Sequence, residues 1–383
     1  MQTAIQIGAG NIGRGFIGML LSQAGYKVTF ADVQEDIVNA LSERHSYPVE
    51  VVGESRQVIE VGPVDGLNSN GPGMTKALVE ADIVTTAVGP NVLKFIAPAL
   101  ARGIEQSVLQ GRSKPLNIIA CENAVRATSQ LKAYVLDQLR IPLPQWVGFV
   151  DAAVDRIVPP MEKGDDVLAV RVEEFCEWLV EKSAFVGDIP DIAGMTPVED
   201  LEAGVERKLF TLNTGHAICA WVGQYLGFNT IGDAIADDRV KQIVTQAMQQ
   251  SGAALIAKHH FDPQAHRAYI EKILKRFANP YIIDDVARVG RQPIRKLSRG
   301  ERIASPVTTA KAYGLPIDKL LLGAAAAMHF HSDEDPQVAE LNTLIQQKGV
   351  AQVFAELSQI GEGTQLEEGD VVADIYQHMD QYL

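Results

Sequence analysis

The sequence predicts an α/β Rossmann-type N-terminal domain followed by a mostly α-helical C-terminal domain. In the first half, short apolar strand patterns alternate with helical ones, which is typical of a parallel sheet covered by helices. Pro190, Gly194 and Pro197 then mark a linker, beyond which apolar residues recur at helical spacing. These two observations place the predicted domains at residues 1–190 and 191–383.

The composition indicates two ordinary globular domains. The 383 residues are 46% hydrophobic and 21% charged, enough to bury substantial cores. The net charge of −14 argues against a general binder of nucleic acid or anionic membranes. An anionic ligand would therefore need a local group of basic side chains, and we expect no nucleic-acid or membrane partner.

The cysteines and the apolar runs predict a cytoplasmic protein. Cys121, Cys176 and Cys219 are widely spaced and odd in number, so they indicate neither a disulfide framework nor a zinc ligand set. The chain enters a strand pattern at Thr3 without a leader pattern before it. No window approaches 18 uninterrupted apolar residues, so we expect no membrane span.

A glycine-rich turn at residues 8–13 predicts dinucleotide binding. A strand pattern at 5–7 precedes it, a helical pattern at 16–24 follows, and a second strand pattern covers 27–32. In such a turn the first glycine permits the tight bend, the second lets the backbone approach a pyrophosphate, and the third packs helix on strand. The helix N-terminus offers unpaired N–H groups to the phosphates. The predicted cofactor-binding residues are Gly8, Gly10, Asn11, Ile12 and Gly13.

Asp32 predicts NAD as the cofactor. It ends the second strand, 19 residues after Gly13, where a carboxylate accepts hydrogen bonds from the adenosine ribose and repels a 2′-phosphate. The alternative is that Asp32 caps the helix predicted at 34–44, and the two roles are compatible. Arg14 and Arg44 lie nearby in sequence and leave the exclusion of NADP open.

Asn123 follows a predicted buried strand at 116–121. Polar residues at the carboxyl ends of such strands lie in the ligand crevice, so Asn123 is a candidate site residue. The alternative is that it caps a helix beginning near Ala124. Further patterns predict a strand pair at 47–64, a strand at 82–89, a helix at 92–106 and strands at 147–160 and 167–172. Asp155 and Arg156 in the 147–160 stretch form a structural ion pair or line the cleft, with the structural role favoured.

Lys208, Asn213 and His216 belong to the first of the helical patterns of the second half, which cover 199–227, 231–258, 262–276, 317–330 and 335–347. At about 100° per residue, the three fall at about 0°, 140° and 80° around the helix axis. They could therefore converge on one side as a catalytic group. Residues 211–215 are poor helix formers, so helix propensity does not explain them. The alternative is a partly exposed helix with scattered polar residues.

Residues 288–302 hold six basic side chains and one acid, Glu301. In so acidic a chain this clustering predicts an anion site for a phosphorylated substrate. The alternative is a solvated loop that pairs with acidic surface. The basic residues are Arg288, Arg291, Arg295, Lys296, Arg299 and Arg302.

With the glycine turn, the K-x4-N-x2-H pattern at 208–216 resembles that of the polyol-specific long-chain dehydrogenases. Cys121-Glu122-Asn123, residues 155–159 and Asn279-Pro280 extend the resemblance over nearly the whole chain, more loosely in the last forty residues. The chain also looks shorter than the mannitol 2-dehydrogenases and uronate reductases of this family. The resemblance therefore implies its sugar-phosphate branch, which interconverts mannitol 1-phosphate and fructose 6-phosphate with NAD and without a metal.

The resemblance also implies roles for single residues. Lys208 would be the catalytic acid/base, Asn213 and Asn123 would hold the reacting oxygen, and His216 would orient the substrate. Arg288 would bind substrate, and we add Arg295 and Lys296 from the basic cluster. Free lysine, with a pKa of about 10.4, is a poor base at neutral pH, and burial or a nearby positive charge lowers the pKa of an amine.

Two other functions stay open at this point. An unphosphorylated polyol or sugar acid could be the substrate, although a neutral polyol does not need the basic cluster. A non-catalytic NAD-binding protein is the third, and the presence of Lys208 argues against it. The resemblance favours a monomer, and residue patterns do not decide between monomer and oligomer.

Overall fold

The computed structural model describes residues 1–53, 55–159, 166–361 and 367–383. The chain forms two compact units, Met1–Gly204 and Val205–Leu383, whereas the sequence placed the boundary at residue 190. The division falls inside helix α6 (Leu201–Arg207). Within the described ranges, no helix is long and apolar enough to cross a membrane.

A six-stranded parallel sheet is the centre of the first unit. Its strands stand in the order β5-β2-β1-β6-β7-β8, the doubly wound order of dinucleotide-binding folds. The two halves of the sheet diverge between β1 and β6, so the switch point lies at their carboxyl ends. The strands are β1 Thr3–Ile7, β2 Lys27–Asp32, β5 Val64–Asn68, β6 Ile83–Thr86, β7 Leu116–Ala120 and β8 Val147–Phe149.

Helices cover both faces of this sheet, which is why β6 and β7 are buried along their whole length. The first connection begins with a π-helical turn, Gly13–Gly18, that continues into α1, Met19–Gln23. Short 3₁₀ turns cover Pro90–Val92 and Lys182–Ala184. The remaining helices of the unit are α2 Glu35–Arg44, α3 Gly73–Glu80, α4 Leu93–Leu109 and α5 Ala127–Leu136.

Two three-stranded sheets complete the first unit. One pairs β3 (Tyr47–Val52) with β4 (Arg56–Val61) and β10 (Val170–Glu173), which confirms the predicted strand pair. The other has the order β12-β11-β9 and consists of β9 Ala152–Asp155, β11 Glu177–Glu181 and β12 Met195–Val198. The prediction of one strand at 147–160 was wrong, because β8 and β9 belong to different sheets. An apolar run does not reveal where a chain changes sheets.

The second unit is helical. A second π-helical turn, Lys208–Asn213, joins α6 to α7, Thr214–Tyr225. The helix predicted at 231–258 is interrupted at Asp237, whose side chain accepts hydrogen bonds from the Arg239 and Val240 N–H groups at the start of α9. The later helices are α8 Ile231–Ala236, α9 Asp238–His259, α10 Pro263–Phe277, α11 Val286–Gly290, α12 Pro293–Leu297, α13 Ala304–Ala312, α14 Asp318–His329, α15 Pro336–Lys348, α16 Val350–Ser358, α17 Glu367–Gln377 and α18 Met379–Tyr382.

The core of the second unit is built on α7 and α14. Residues 324–327, four consecutive alanines, are fully buried, and a Cβ on Gly323 would lie only 2.6 Å from the Ile218 side chain. The Trp221 Nε1–H donates to the Gly290 carbonyl at 3.0 Å. This packing places α7, and the π-helical turn before it, on a rigid support.

Candidate functional site

The glycine turn after β1 has the shape that a dinucleotide requires. Gly8 has a φ of +95°, and a Cβ there would lie 2.4 Å from the Ala87 carbonyl oxygen. A Cβ on Gly13 would lie 2.0 Å from the Gly8 oxygen, so helix and strand are in backbone contact. A Cβ on Gly10 would meet nothing within 4 Å. That open face fits the close approach of a pyrophosphate to the backbone.

Asp32 is held in place by backbone N–H groups. Its Oδ2 accepts from Ala9 N at 2.6 Å, and its Oδ1 accepts from Val33 N at 2.7 Å and Gln34 N at 3.0 Å. The N-cap of α2 is Gln34, so Asp32 closes the turn before the helix and does not occupy the cap position. Since each carboxylate oxygen has more than one lone pair, these bonds leave acceptor capacity for a ribose hydroxyl.

Arg14 and Arg44 are both engaged within the protein. The buried Arg14 guanidinium donates to the carbonyl oxygens of Ala9 and Leu168, and burial lowers its pKa. The Arg44 Nη1 lies 2.6 Å from both carboxylate oxygens of Asp166. Both guanidinium groups thus have partners within the protein, and Arg14 also lies close enough to Asp32 to interact with it electrostatically.

Glu122 is a residue whose importance the sequence did not reveal. Its carboxylate accepts from Thr86 Oγ1 at 2.6 Å, Val88 N at 3.0 Å and Gly89 N at 2.8 Å. It therefore fixes the loop after β6 to the end of β7. The signal that could have identified it is an acid directly after a fully apolar strand, where a charge must find several partners.

Asn123 is exposed in the loop that follows. The proposed capping role was wrong, because α5 begins at Ala127 and its N-cap position is Arg126. Arg156, which the sequence paired with Asp155 or placed in the cleft, is buried and donates to the carbonyl oxygens of Glu173 and Gly15, both at 3.0 Å. These bonds give Arg156 a structural role, and the ion pair with Asp155 stays a prediction.

Lys208 and Asn213 are the first and last residues of the second π-helical turn. An α-helix aligns residues four apart, whereas the i→i+5 bonds of a π-helix align residues five apart. The turn therefore brings Lys208 and Asn213 closer in angle than the regular helix that the sequence predicted. Single π-turns within helices are frequent at functional sites.

His216 belongs to a chain of three charged or polar groups. Its Nε2 lies 3.1 Å from Asp284 Oδ2, and Asp284 Oδ1 accepts from Arg288 Nε at 2.8 Å and Nη2 at 2.5 Å. Burial lowers the pKa of His216 despite the opposing effect of Asp284, while His216 and Arg288 together hold the pKa of the buried Asp284 below its usual value. The imidazole also stacks on Phe277, with ring centroids 4.9 Å apart. Asp284, which the sequence reasoning missed, thus orients both His216 and Arg288.

The other members of the basic cluster are partly paired. Arg295 Nη1 donates to Glu301 at 2.6 Å, and Arg302 Nε lies 3.3 Å from the same carboxylate. Lys296 is buried and donates to the Val289 carbonyl. Burial, with repulsion from Arg302 and Arg295, lowers the pKa of Lys296 to about 7.

The second unit brings together part of the predicted site. Arg288 and Lys296 both lie close enough to His216 to lower its pKa electrostatically, so these three residues share one region. Lys208 stands about two helical turns, and Asn213 less than one turn, before His216 on the same continuous helical segment. Within the described ranges, no three His, Cys, Asp or Glu side chains are placed to hold a metal ion.

Two family models match the chain, one in each half. The mannitol dehydrogenase Rossmann domain matches residues 2–194, and the mannitol dehydrogenase C-terminal domain matches residues 200–383. Between them they cover almost every residue, and they divide the chain where the sequence changes from α/β to helical character.

Solved structures share this fold at low sequence identity. A D-sorbitol dehydrogenase in substrate-free form has a TM-score of 0.82 at 16% identity, covering 99% of this chain and 93% of that one. Pseudomonas fluorescens mannitol 2-dehydrogenase, in a ternary complex with NAD and D-mannitol, has a TM-score of 0.76 at 17% identity, with coverages of 99% and 92%. An octopine dehydrogenase structure with NADH and pyruvate has a TM-score of 0.52 at 12% identity, with coverages of 95% and 100%.

Proposed function

Because the chain belongs to the mannitol dehydrogenase family, and is thus an NAD-dependent polyol dehydrogenase, we propose that it interconverts mannitol 1-phosphate and fructose 6-phosphate. This is the reaction of a mannitol-1-phosphate 5-dehydrogenase. The observation that supports a phosphorylated substrate is the excess of basic side chains at residues 288–302 in a chain of net charge −14.

Lys208 is the acid/base in this proposal. Oxidation of a secondary alcohol takes a proton from oxygen while a hydride leaves carbon, and bound NAD supplies the hydride acceptor. The Lys208 Nζ receives the hydroxyl proton and returns it in the reverse direction. The Asn213 amide donates a hydrogen bond to the same oxygen, and Asn123 is a second donor of this kind. His216, kept neutral by burial and oriented by Asp284, positions the substrate hydroxyls.

The cofactor preference follows from Asp32. A 2′-phosphate would meet this carboxylate while Arg14 and Arg44 are bound to Ala9, Leu168 and Asp166. We therefore expect a much higher kcat/KM with NAD than with NADP. Measuring both values for the wild-type enzyme tests this, and comparable values would contradict it.

The phosphate would be bound by Arg288, Arg295 and Lys296. Arginine forks hold phosphate through paired charge-assisted hydrogen bonds, and the Arg288 side chain is 52% exposed while it bonds Asp284. Removing one contact in a desolvated site should cost about 2–5 kcal/mol of binding. Alanine variants at the three positions should raise the KM for fructose 6-phosphate and leave NADH binding intact. If none does, the phosphate site is elsewhere or does not exist.

An unphosphorylated polyol or sugar acid is the second candidate, and the comparisons favour it more directly. D-mannitol is the substrate of the Pseudomonas fluorescens enzyme whose fold this chain shares. The pairing of Arg288 with Asp284 and of Arg295 with Glu301 also leaves less free charge for a phosphate than the sequence suggested.

One assay separates the candidates. NADH oxidation by the wild-type enzyme is measured with fructose 6-phosphate, fructose and fructuronate at matched concentrations. A preference for fructose 6-phosphate in kcat/KM supports the first proposal. A preference for fructose or fructuronate supports the second, and activity with none would leave only a cofactor-binding protein.

A further inference from the structure

Two buried hydroxyl groups bond the carbonyl oxygens of the second π-helical turn. Both Thr214 and Ser251 are 0% exposed. We propose that Thr214 and Ser251 are positioning residues that hold the turn in its wide form and thereby align Lys208 with Asn213. This inference rests on the proposed acid/base role of Lys208.

The Thr214 hydroxyl follows the i→i+5 spacing of the π-helical turn. Its Oγ1 lies 3.0 Å from the Leu209 carbonyl oxygen, five residues earlier. In a regular α-helix a threonine hydroxyl bonds the carbonyl three or four residues earlier. The same Oγ1 lies 2.6 Å from the Arg302 carbonyl oxygen. The one hydroxyl proton is shared between these two carbonyl oxygens, and the hydroxyl thus connects the turn to the end of the basic cluster.

Ser251 reaches the turn from α9. Its Oγ lies 2.6 Å from the Phe210 carbonyl oxygen and 3.1 Å from the Met248 carbonyl of its own helix. The two helices are in close contact here, because a Cβ on Gly215 would lie 2.4 Å from the Met248 sulfur. A larger residue at 215 would push the turn away from Ser251.

These contacts account for two of the poor helix formers at 211–215, Thr214 and Gly215. A widened turn moves the backbone bonding to residues five apart, as between the Thr214 N–H and the Leu209 carbonyl, and its buried carbonyl groups take side-chain partners as well. If the turn relaxed to a regular helix, Lys208 and Asn213 would separate to about 140° around the axis. An amine and an amide that act on one oxygen atom require the closer arrangement.

A double-mutant cycle tests the proposal. Thr214→Val keeps the side-chain shape and removes the hydroxyl, and Thr214→Ser keeps the hydroxyl. Misplacing a catalytic group by about 1 Å can cost about 10²-fold in rate, so we expect Thr214→Val and Ser251→Ala to lower kcat by about 10-fold to 10²-fold. The KM for NAD should stay unchanged, and Thr214→Ser should restore most of the activity.

In the Lys208→Ala background the same substitutions should have no further effect on kcat, because they act through the lysine. A purely structural role would give equal fold losses in both backgrounds. Matched controls are Thr245→Val and Ser358→Ala, whose hydroxyls bond carbonyls of regular helices at Lys241 and Phe354. Both should leave kcat unchanged.

Three results distinguish the possible failures. If Lys208→Ala keeps near-normal turnover, the proposed function fails. If Lys208→Ala is inactive while Thr214→Val and Ser251→Ala keep wild-type kcat, only the positioning inference fails. If Thr214→Val does not fold, Ser251→Ala still decides: an additive loss of kcat in the Lys208→Ala background overturns the inference.

Discussion

The two π-helical turns, one in each unit, differ in the groups that stabilise them. At Gly13–Gly18 the absence of a side chain on glycine allows close backbone contact, as between Gly13 and the Gly8 oxygen. Two side chains from elsewhere bond its carbonyls: Tyr47 Oη donates to Arg14 O at 2.8 Å, and Arg156 to Gly15 O at 3.0 Å. At Lys208–Asn213 the carbonyl partners are the hydroxyls of Thr214 and Ser251.

The first turn acts through the packing of its backbone, whereas the second acts through the side chains that it presents. In the first turn no side chain takes part in the reaction. Its glycines matter because they carry no Cβ where the Gly8 backbone and the side chains of neighbouring strands pack against the turn. In the second turn the side chains of Lys208 and Asn213 are the functional groups, and the backbone serves to aim them. Substitutions should therefore affect stability and cofactor binding in the first turn, and turnover in the second.

The largest expected effect is on the chemistry of the second turn. Lys208→Ala should lower kcat by about 10²–10⁴-fold, the usual span for loss of a general acid or base, with NAD binding little changed. Steady-state rates and NADH titration measure both. Lys348→Ala, which removes an exposed lysine paired with Glu356, is the control. Near-normal turnover of Lys208→Ala would remove the lysine from the mechanism.

Next is the packing of the first turn. Gly13→Ala would place a Cβ 2.0 Å from the Gly8 oxygen, and overpacking of this kind costs about 1–3 kcal/mol or more. We expect a lower free energy of unfolding and weaker NAD binding. Gly10→Ala has open space for its Cβ, so it should keep wild-type stability and lose only NAD affinity. Equal stability of the two variants would contradict this account.

A smaller effect is expected from Tyr47→Phe. It removes a buried hydrogen bond to the Arg14 carbonyl in the first turn, with a stability loss of about 1 kcal/mol. Denaturant unfolding should show this loss, while kcat with saturating substrates should stay at the wild-type value. A fall in kcat as large as that expected for Thr214→Val would mean that the two turns do not differ as argued.

The smallest expected effect is that of pH on the KM for fructose 6-phosphate, which tests the charge of Lys296. Lys296 has a pKa lowered to about 7, so it is charged below that pH and becomes neutral as the pH rises through it. A sugar phosphate loses its second proton near pH 6, about the value known for phosphate monoesters. The KM for fructose 6-phosphate should therefore be lowest between these values and rise several-fold at higher pH.

Lys296→Met should remove this rise, while Arg295→Ala should keep it but move it to higher pH, because the Arg295 charge no longer lowers the pKa of Lys296. The KM for fructose, which carries no phosphate, should not follow the same profile. A flat KM for fructose 6-phosphate in the wild-type enzyme would show that the Lys296 charge does not contribute to phosphate binding.

Much of the fold could be predicted from local patterns. The glycine turn between two strands and the helical second half were recognised because each depends on neighbouring residues. The short helices at 286–290, 293–297, 304–312, 350–358, 367–377 and 379–382 were not predicted, because four to eleven residues carry too little periodicity. The division of 147–160 between two sheets was missed because strand partners are distant in sequence.

The sequence by itself determined the residue types and their spacing: the glycines at residues 8–13, Asp32, and the lysine, asparagine and histidine of the second unit. These depend on chemistry that each residue carries wherever it is placed. The tertiary structure decided which groups meet: Asp284 with His216 and Arg288, Glu122 with the loop after β6, and two hydroxyls with the second π-helical turn. Such partners lie up to 68 residues apart, and only the packing of buried helices and strands brings them within hydrogen-bond distance.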